Sequence, residues 1–223
     1  MNLVVSGRRC LVVGGGAVAA RKARGLLSAG AEVVMVAPSI SPEARALAGG
    51  TSAGQHGAIG TSAGQHGALR LSIEHRPYRR GEVDGYWLAV VATDDAAVNR
   101  AVREDGDAAG VWVNAADDPE NCSFTLPAIS RRGPITVTVS TGGSSPALAS
   151  WLREHVDGEL GPEYVELAEM LSEARERIQS AGRSTEKADW RQVVDSEMLE
   201  LLREGQKRRA KERLEAWLSS SLV

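Results

Sequence analysis

Hydrophobic runs of four to six residues recur along the first 139 positions, and hydrophobic residues at helical spacing lie between them. Most of these runs are continuously apolar, as expected of strands that are covered on both faces of a sheet. Strands that alternate with helices predict a parallel α/β sheet with right-handed crossovers, whose ligands bind beyond the carboxyl ends of the strands. The predicted strands are residues 10–13, 32–37, 69–74, 87–92, 111–114 and 135–139.

Helix signals lie between the strands and dominate the last third of the chain. Residues 18–29 predict one helix, and Pro42 and Pro146 start two others behind the capping residues Ser41 and Ser145. Helical spacing then predicts a tail made only of helices. Its hydrophobic positions are Tyr164, Leu167, Leu171, Ala174, Ile178, Met198, Leu199, Leu202, Leu214, Trp217 and Leu218.

Three glycines, Gly14, Gly15 and Gly16, follow the first strand directly, and an alanine-rich helix follows the glycines. In the pattern G-x-G-x-x-A, Gly14 permits the tight turn, Gly16 lets the backbone approach a pyrophosphate, and Ala19 allows close packing of helix and strand. Free N–H groups and the helix dipole then face the anion. The pattern favours a dinucleotide site; a glycine turn without a ligand is the alternative.

The end of the second strand carries the residues that distinguish NAD from NADP in such sites. An acidic residue about 20 positions beyond the glycines usually binds the ribose hydroxyls. Here the strand runs into Ala37, Pro38 and Ser39, without an acid. Any ribose contact therefore comes from the backbone or from Ser39, and the choice between NAD and NADP stays open.

Composition and charge narrow the class of protein. The chain has 223 residues, of which 43% are hydrophobic and 25% charged, as in globular proteins, and its net charge of -3 argues against a nucleic-acid surface. It has no apolar run of the ~20 residues needed to span a membrane and no apolar signal segment at its start. Two cysteines form neither a disulfide framework nor a metal-ligand spacing. A cytoplasmic protein is expected.

A tandem repeat interrupts the pattern. Residues 50–59 and 60–68 share the sequence G-T-S-A-G-Q-H-G-A, which is rich in Gly and Ser and almost devoid of large apolar side chains. Such a segment buries too little apolar surface to offset the entropy of ordering its backbone, so a mobile surface insertion is expected. His56 and His66 lie in it, and solvated imidazoles are favoured over a metal site.

Several motifs in this order and spacing resemble one family, the NAD-dependent precorrin-2 dehydrogenases, some of which are also sirohydrochlorin ferrochelatases. The resemblance covers nearly all of residues 11–152 and is far more specific than the glycine turn alone. The matching segments are L-V-V-G-G-G-A-V-A-A-R-K-A from Leu11, A-T-D-D from Ala92, V-N-A-A-D-D-P from Val113, S-F-T-L-P-A from Ser123 and V-S-T-G-G-S-S-P-A-L-A from Val139.

The resemblance implies a domain order and an assembly. Residues 1–126 would be a Rossmann-like NAD-binding domain with a parallel sheet, residues 127–157 a dimerisation segment and residues 158–223 a helical C-terminal domain. The family's members are homodimers that hold the tetrapyrrole in a cleft between these parts. The repeat is not part of the family's pattern, and the helical tail resembles the family's C-terminal part only loosely.

The resemblance also implies site residues. Its catalytic aspartate falls on Asp117 in the segment N-x-x-D-x-P, and the next residue, Asp118, departs from the small residues that are usual there. The acid/base role is therefore open between these two neighbours. The residues expected to contact NAD, glycine turn included, are Gly14, Gly15, Gly16, Ala17, Val18, Pro38, Ser39 and Thr93.

The tetrapyrrole substrate carries many carboxylates, so its site should supply hydrogen-bond donors and positive charge. A second Gly/Ser turn at residues 140–146 offers such donors, although a simple connection between a strand and a helix is an equal alternative on pattern alone. The candidate substrate-binding residues are Asn114, Arg131, Arg132, Ser140, Thr141, Gly142 and Gly143.

The function implied by the resemblance is the NAD-dependent oxidation of precorrin-2 to sirohydrochlorin in siroheme biosynthesis. Oxidation removes a hydride, which NAD accepts, and a proton, for which Asp117 is the candidate base. Iron insertion, with Fe2+ as a substrate, is shared by only some members and stays open; no resident metal is expected. The alternatives are a nucleotide-sensing module that acts on a partner protein through the helical tail, and an enzyme of the same fold with another small substrate.

Overall fold

The computed structural model describes residues 3–49, 71–186 and 188–221. The tandem repeat at 50–68, for which a mobile insertion was expected, lies outside these residues together with its two histidines. None of the helices among the described residues is long and apolar enough to cross a membrane.

The chain divides into two compact units, Met1–Leu126 and Pro127–Val223. The first unit alternates strands and helices, as the hydrophobic pattern predicts. Its elements in chain order are β1 (Arg9–Val13), α1 (Ala17–Ser28), β2 (Glu32–Ala37), α2 (Pro42–Gly49), β3 (Leu71–His75), β4 (Leu88–Val91), α3 (Ala96–Ala109) and β5 (Trp112–Ala115).

A parallel sheet with the strand order β3-β2-β1-β4-β5 forms the centre of this unit. The five strands predicted here are all present, with ends that differ by no more than two residues. The α/β fold with a Rossmann-like parallel sheet is thereby confirmed. Because the strand order reverses between β1 and β4, a crevice for ligands is expected at the carboxyl ends of these two strands.

The sheet is covered on both faces, which explains why its central strand is continuously apolar. Cys10 and Val12 of β1 pack with α1 and α2, whereas Leu11 and Val13 pack on the opposite face with Val102 of α3. All four strand residues are no more than 3% exposed. Since successive side chains of a strand point to opposite faces, a polar residue at any of these positions would enter one of the two cores.

One buried carboxylate holds the connection between β3 and β4 against α3. Asp105 of α3 is 9% exposed, and its Oδ2 accepts hydrogen bonds from the Tyr78 hydroxyl and the Gly81 amide, both at 2.7 Å. Arg80 pairs with the other oxygen at 3.1 Å. Burial, together with the hydrogen bond to Asp105, raises the pKa of the Tyr78 hydroxyl. The charge of Asp105 is thus compensated, as a buried carboxylate requires.

The second unit combines a β-hairpin with helices. Its hairpin strands pair antiparallel, and Gly133 with φ of +54° forms the turn between them. The following helix packs on the hairpin, where the Ser130 hydroxyl donates to Asp157 at 2.6 Å. The elements are β6 (Ala128–Arg132), β7 (Ile135–Val139), α4 (Pro146–Glu159), α5 (Pro162–Ser180), α6 (Ser196–Arg203) and α7 (Lys207–Ser221).

The hairpin departs from the sequence prediction. The strand expected at 135–139 is present as β7, but its partner β6 was not predicted. Arg131 and Arg132 were expected just before a strand, and both lie within β6. The signal was weak because β6 reads A-I-S-R-R, in which only two residues are apolar. The predicted cap Ser145 is confirmed, since its hydroxyl accepts a hydrogen bond from the Leu148 amide at 3.2 Å.

Helices α5, α6 and α7 share an apolar core at the predicted spacing. Ion pairs join their surfaces: Glu163 binds Arg203 at 2.8 Å, and Asp195 binds Arg213 at 2.5 Å. Most of the basic residues of α7 therefore lie on a solvated face with acidic partners. The buried core residues include Leu167, Met170, Ala174, Ile178, Met198, Leu202, Leu214, Trp217 and Leu218.

Two helical glycines predict opposite effects on stability. Among the described residues, a Cβ on Gly25 of α1 would meet no atom within 4 Å, whereas a Cβ on Gly106 of α3 would lie 2.3 Å from Val113. Gly25→Ala should stabilise the protein by about 0.5–1 kcal/mol through helix propensity. Gly106→Ala should destabilise it by about 1–3 kcal/mol through overpacking. Urea unfolding of both variants measures these changes, and effects of the same sign would contradict the packing described.

Candidate active site

The glycine turn is wedged between the backbones that follow β2 and β4. Gly14 has φ of +124°, and a Cβ there would lie 2.1 Å from the carbonyl oxygen of Ala92. A Cβ on Gly15 would lie 2.0 Å from the carbonyl oxygen of Ser39. No side chain fits at either position. These two glycines are therefore required by the protein's own packing, before any ligand is considered.

Gly16 differs from its two neighbours because it faces open space. A Cβ on Gly16 would meet nothing within 4 Å among the described residues. Gly16 is the N-cap of α1, no described side chain caps that helix, and its first turn contains no acid. The backbone N–H groups of Ala17 and Val18 consequently remain available at the positive end of the helix dipole. This cradle fits the pyrophosphate of a dinucleotide.

The other predicted cofactor residues lie at the same edge of the sheet. Pro38 and Ser39 follow β2 and are exposed, and the Ser41 amide donates to the Gly15 carbonyl at 2.8 Å. Thr93 follows β4, and its hydroxyl accepts a hydrogen bond from the Asp95 amide at 2.8 Å. The structure thus brings together the loops that surround the glycine turn.

Asp117 follows β5 in an unusual backbone conformation. Its φ of +58° makes it the one non-glycine residue with a left-handed backbone in the part of the chain that the structure describes. Its carboxylate is exposed and makes no hydrogen bond with the described residues. Left-handed residues other than glycine are uncommon and cluster at functional sites. The carboxylate of Asp117 is therefore available to a ligand.

Asp118, the neighbouring acid, is engaged by the protein itself. Its Oδ2 accepts hydrogen bonds from the side-chain amides of Asn121 at 2.8 Å and Asn99 at 3.1 Å. These bonds, with a smaller contribution from Arg100, lower the pKa of the Asp118 carboxyl. A carboxylate held in this way is a weak base, because protonation would break the bonds that stabilise its charge. The two neighbouring acids therefore differ in availability.

Asn114 and Cys122 hold the loop after β5 in place. Asn114 is 6% exposed, and its amide donates to the Phe124 carbonyl at 2.9 Å. The Cys122 thiol accepts from the Ala115 amide at 3.2 Å and lies 3.3 Å from the Asp118 carbonyl, to which it donates. These contacts show that the Asn114 amide nitrogen is used within the protein.

Lys22 is a half-buried residue of α1. Burial and the adjacent Arg21 lower the pKa of its ammonium group, whereas the charges of Asp117 and Cys122 act in the opposite direction. Lys22 is therefore near enough to Asp117 to interact with it electrostatically. A half-buried cation beside an exposed carboxylate is a signal that only the packing of α1 reveals.

The turn between β7 and α4 is ordered by its own hydrogen bonds. Gly142 and Gly143 have φ of +63° and +86°, and a Cβ on either would meet no described atom within 4 Å. The Thr141 hydroxyl accepts from the Ser145 amide at 3.1 Å, and the Ser140 hydroxyl accepts from the Gly142 amide at 3.3 Å. The turn therefore presents exposed backbone and an exposed serine.

The two predicted arginines of β6 differ in their surroundings. Arg131 is exposed, whereas Arg132 donates to the backbone carbonyl of Asp157 at 3.2 Å and lies 3.8 Å from its carboxylate. Arg132 thus already has an acidic partner within the second unit.

Comparison with known proteins agrees with this geometry. A family model described as NAD(P)-binding matches residues 1–128, and a model of the central part of a sirohaem biosynthesis protein matches residues 132–158. The siroheme synthase of Chromobacterium violaceum is 36% identical over 93% of this chain and 41% of its own length. That of Nitrosococcus oceani is 33% identical over 99% of this chain and 44% of its own length.

The chain thus spans about two fifths of the length of the curated relatives it matches. A solved structure of similar size, "SirC, precorrin-2 dehydrogenase", superposes with a TM-score of 0.75 and is 25% identical. This similarity covers 97% of this chain and 98% of the other. Because the NAD(P)-binding model covers more than half of the residues and these relatives agree with it, the chain belongs to the NAD(P)-binding family of siroheme biosynthesis proteins.

Proposed function

We propose that this protein oxidises precorrin-2 to sirohydrochlorin with NAD as hydride acceptor, in siroheme biosynthesis. The observation that carries the proposal is the meeting of two features at one edge of the sheet. These are an uncapped helix N-terminus behind a glycine turn and the exposed carboxylate of Asp117. The similar proteins named siroheme synthase and precorrin-2 dehydrogenase support this choice of substrate.

The cofactor would be held mainly by backbone. Donors at the start of α1 face its pyrophosphate, and the exposed Ser39 offers a hydroxyl to the ribose where an acid is usual. When bound, NAD supplies a hydride acceptor. The residues proposed to contact it are Gly14, Gly15, Gly16, Ala17, Val18, Pro38, Ser39 and Thr93.

Asp117 would accept the proton that leaves the macrocycle. Its carboxylate makes no internal hydrogen bond within the described residues, so protonation breaks none. Asp118 is the poorer base because two amides hold its oxygen. Oxidation removes a C–H electron pair as hydride and a proton from a second atom, and a carboxylate beside the ring suffices for the proton.

Iron insertion would use the same carboxylate. As Fe2+ enters the ring as a substrate, the pyrrole N–H protons must leave, and Asp117 would receive them. An assay with sirohydrochlorin and Fe2+ separates a dehydrogenase from a bifunctional enzyme.

The substrate's carboxylates require donors, which we assign to residues of the second unit and to Asn114 of β5. Exposed Arg131 makes no ion pair within the described chain, and the exposed Ser140 hydroxyl accepts a bond from the Gly142 amide, so both can still donate to a carboxylate. Thr141 and Arg132 already have internal partners and would have to share them. The proposed set is Asn114, Arg131, Arg132, Ser140, Thr141, Gly142 and Gly143.

We further propose a homodimer in which residues 127–157 form the interface, beside an NAD-binding domain at 1–126 and a helical domain at 158–223. Large apolar side chains on α4 support this assignment: Leu148 is 48% exposed and Trp151 is 59% exposed. Exposed apolar clusters of this kind mark contact surfaces. The proposal includes a cytoplasmic location.

The first test is turnover of precorrin-2 with NAD, followed as sirohydrochlorin absorbance. Asp117→Asn keeps the shape and tolerates the left-handed backbone but removes the base, so kcat should fall about 100-fold or more. Asp84→Asn, at another exposed aspartate of the first unit, should leave kcat unchanged. Wild-type protein that binds precorrin-2 and NAD without turnover would refute the enzyme assignment.

A second test separates substrate binding from cofactor binding. Ser140→Ala should raise KM for precorrin-2 about tenfold, the effect of one lost hydrogen bond to a charged group, and leave the Kd of NAD within twofold. Ser144→Ala, at an exposed serine of the same turn, is the control. Equal weakening of both ligands would remove Ser140 from the substrate site.

A third test concerns the assembly. Trp151→Glu places a charge on the proposed interface and should convert the dimer to a monomer in sedimentation velocity. Val4→Glu, at a residue of the first unit that is 78% exposed, should leave the dimer intact. A wild-type monomer at micromolar concentration, or a stable Trp151→Glu dimer, would disprove this interface.

A further inference from the structure

A hydrogen-bonded bridge joins the first turn of α3 to the loop after β5. The side-chain amides of Asn99 in α3 and Asn121 in the loop donate to the same Asp118 oxygen, at 3.1 and 2.8 Å. Within the loop, the Asn121 backbone amide also donates to the Asp118 carbonyl at 3.2 Å. Asp118 therefore connects the loop to a helix as well as closing the loop on itself.

Asn99 depends on this bridge. It is 6% exposed, and its Oδ1 is buried without a hydrogen-bond partner among the described residues. The bond to Asp118 is thus the one hydrogen bond that its side chain makes within the described chain. A buried side-chain amide that loses its hydrogen-bond partner destabilises the folded protein. The bond between Asn99 and Asp118 is therefore expected to stabilise the positions of both side chains.

Asp117 lies between two anchored neighbours. On one side, the Ala116 amide donates to the Val91 carbonyl of β4 at 2.8 Å. On the other side, Asp118 is held by its side chain, and its carbonyl also accepts from the Cys122 thiol at 3.3 Å. An aspartate with φ of +58° persists only when its surroundings impose that conformation, and these anchors supply the constraint.

We propose that Asp118 and Asn99 are positioning residues that hold the Asp117 carboxylate in its left-handed, solvent-facing arrangement for proton transfer. The inference rests on the proposed function for its kinetic consequence. It assigns the two neighbouring acids different roles: Asp117 exchanges the proton, and Asp118 holds the backbone in position.

Kinetics of three single variants and one double variant test the assignment. Asp118→Ala removes both side-chain bonds and should lower kcat about tenfold, while KM for precorrin-2 and the Kd of NAD stay within twofold. Asp118→Asn keeps an acceptor oxygen and should restore kcat to within threefold of wild type. Asn99→Ala should resemble Asp118→Ala, and the double variant should be no slower than either, because both break one bridge.

A matched control and a structural readout complete the test. Asp107→Ala removes an exposed carboxylate of α3 that pairs with Arg103, and it should leave kcat unchanged. In a crystal structure of Asp118→Ala, Asp117 should leave the left-handed region. That measurement needs no turnover, so it distinguishes failure of this inference from failure of the proposed function.

Several results would overturn the inference. Asp118→Asn as inactive as Asp117→Asn would make Asp118 the proton acceptor itself. Full activity of Asp118→Ala, or a rise in KM alone, would remove the positioning role. An unchanged left-handed Asp117 in the Asp118→Ala structure would do the same, whatever the kinetics.

Discussion

The structure of the first unit depends on how closely one turn approaches two neighbouring backbones. Gly14 and Gly15 lie against the carbonyl oxygens of Ala92 and Ser39, where a Cβ would come within 2.1 Å of the first and 2.0 Å of the second. That approach brings the ends of β1, β2 and β4 together at one edge. It also leaves the start of α1 without a side-chain cap, so an anion can complete it.

The same edge shows how two adjacent acids acquire different properties. Asp117 has an exposed carboxylate without internal hydrogen bonds among the described residues, whereas two amides hold the carboxylate of Asp118. Their chemistry is identical in the unfolded chain. The difference arises because α3 presents a buried asparagine, Asn99, to one of them. A short loop therefore contains both the proposed proton acceptor and the group proposed to hold it in position.

In the second unit, hydrogen bonds and ion pairs between elements accompany the packing of their apolar side chains. Asp157 of α4 accepts hydrogen bonds from Ser130 and Arg132 of β6, and these bonds connect the helix to the hairpin. Leu148 and Trp151 of α4 are exposed, and large exposed apolar side chains are more typical of a contact surface than of a surface that stays in water. Helices α5 to α7 have ion pairs on their surfaces and share an apolar core, and the helical spacing of its residues predicted these helices from the sequence.

The sequence by itself determined the strands of the parallel sheet, the glycine turn and the helical tail. The spacing of hydrophobic residues and the pattern of glycines are local properties of the chain, so they can be read without the tertiary structure. It did not indicate β6, in which the polar side chains of Ser130 and Arg132 bind Asp157 of α4 and the backbone pairs with β7. Nor did it decide between Asp117 and Asp118, or show that Lys22 is half-buried near Asp117. Those properties depend on which side chains of α1 and α3 reach the loop after β5, and only tertiary packing brings such distant residues together.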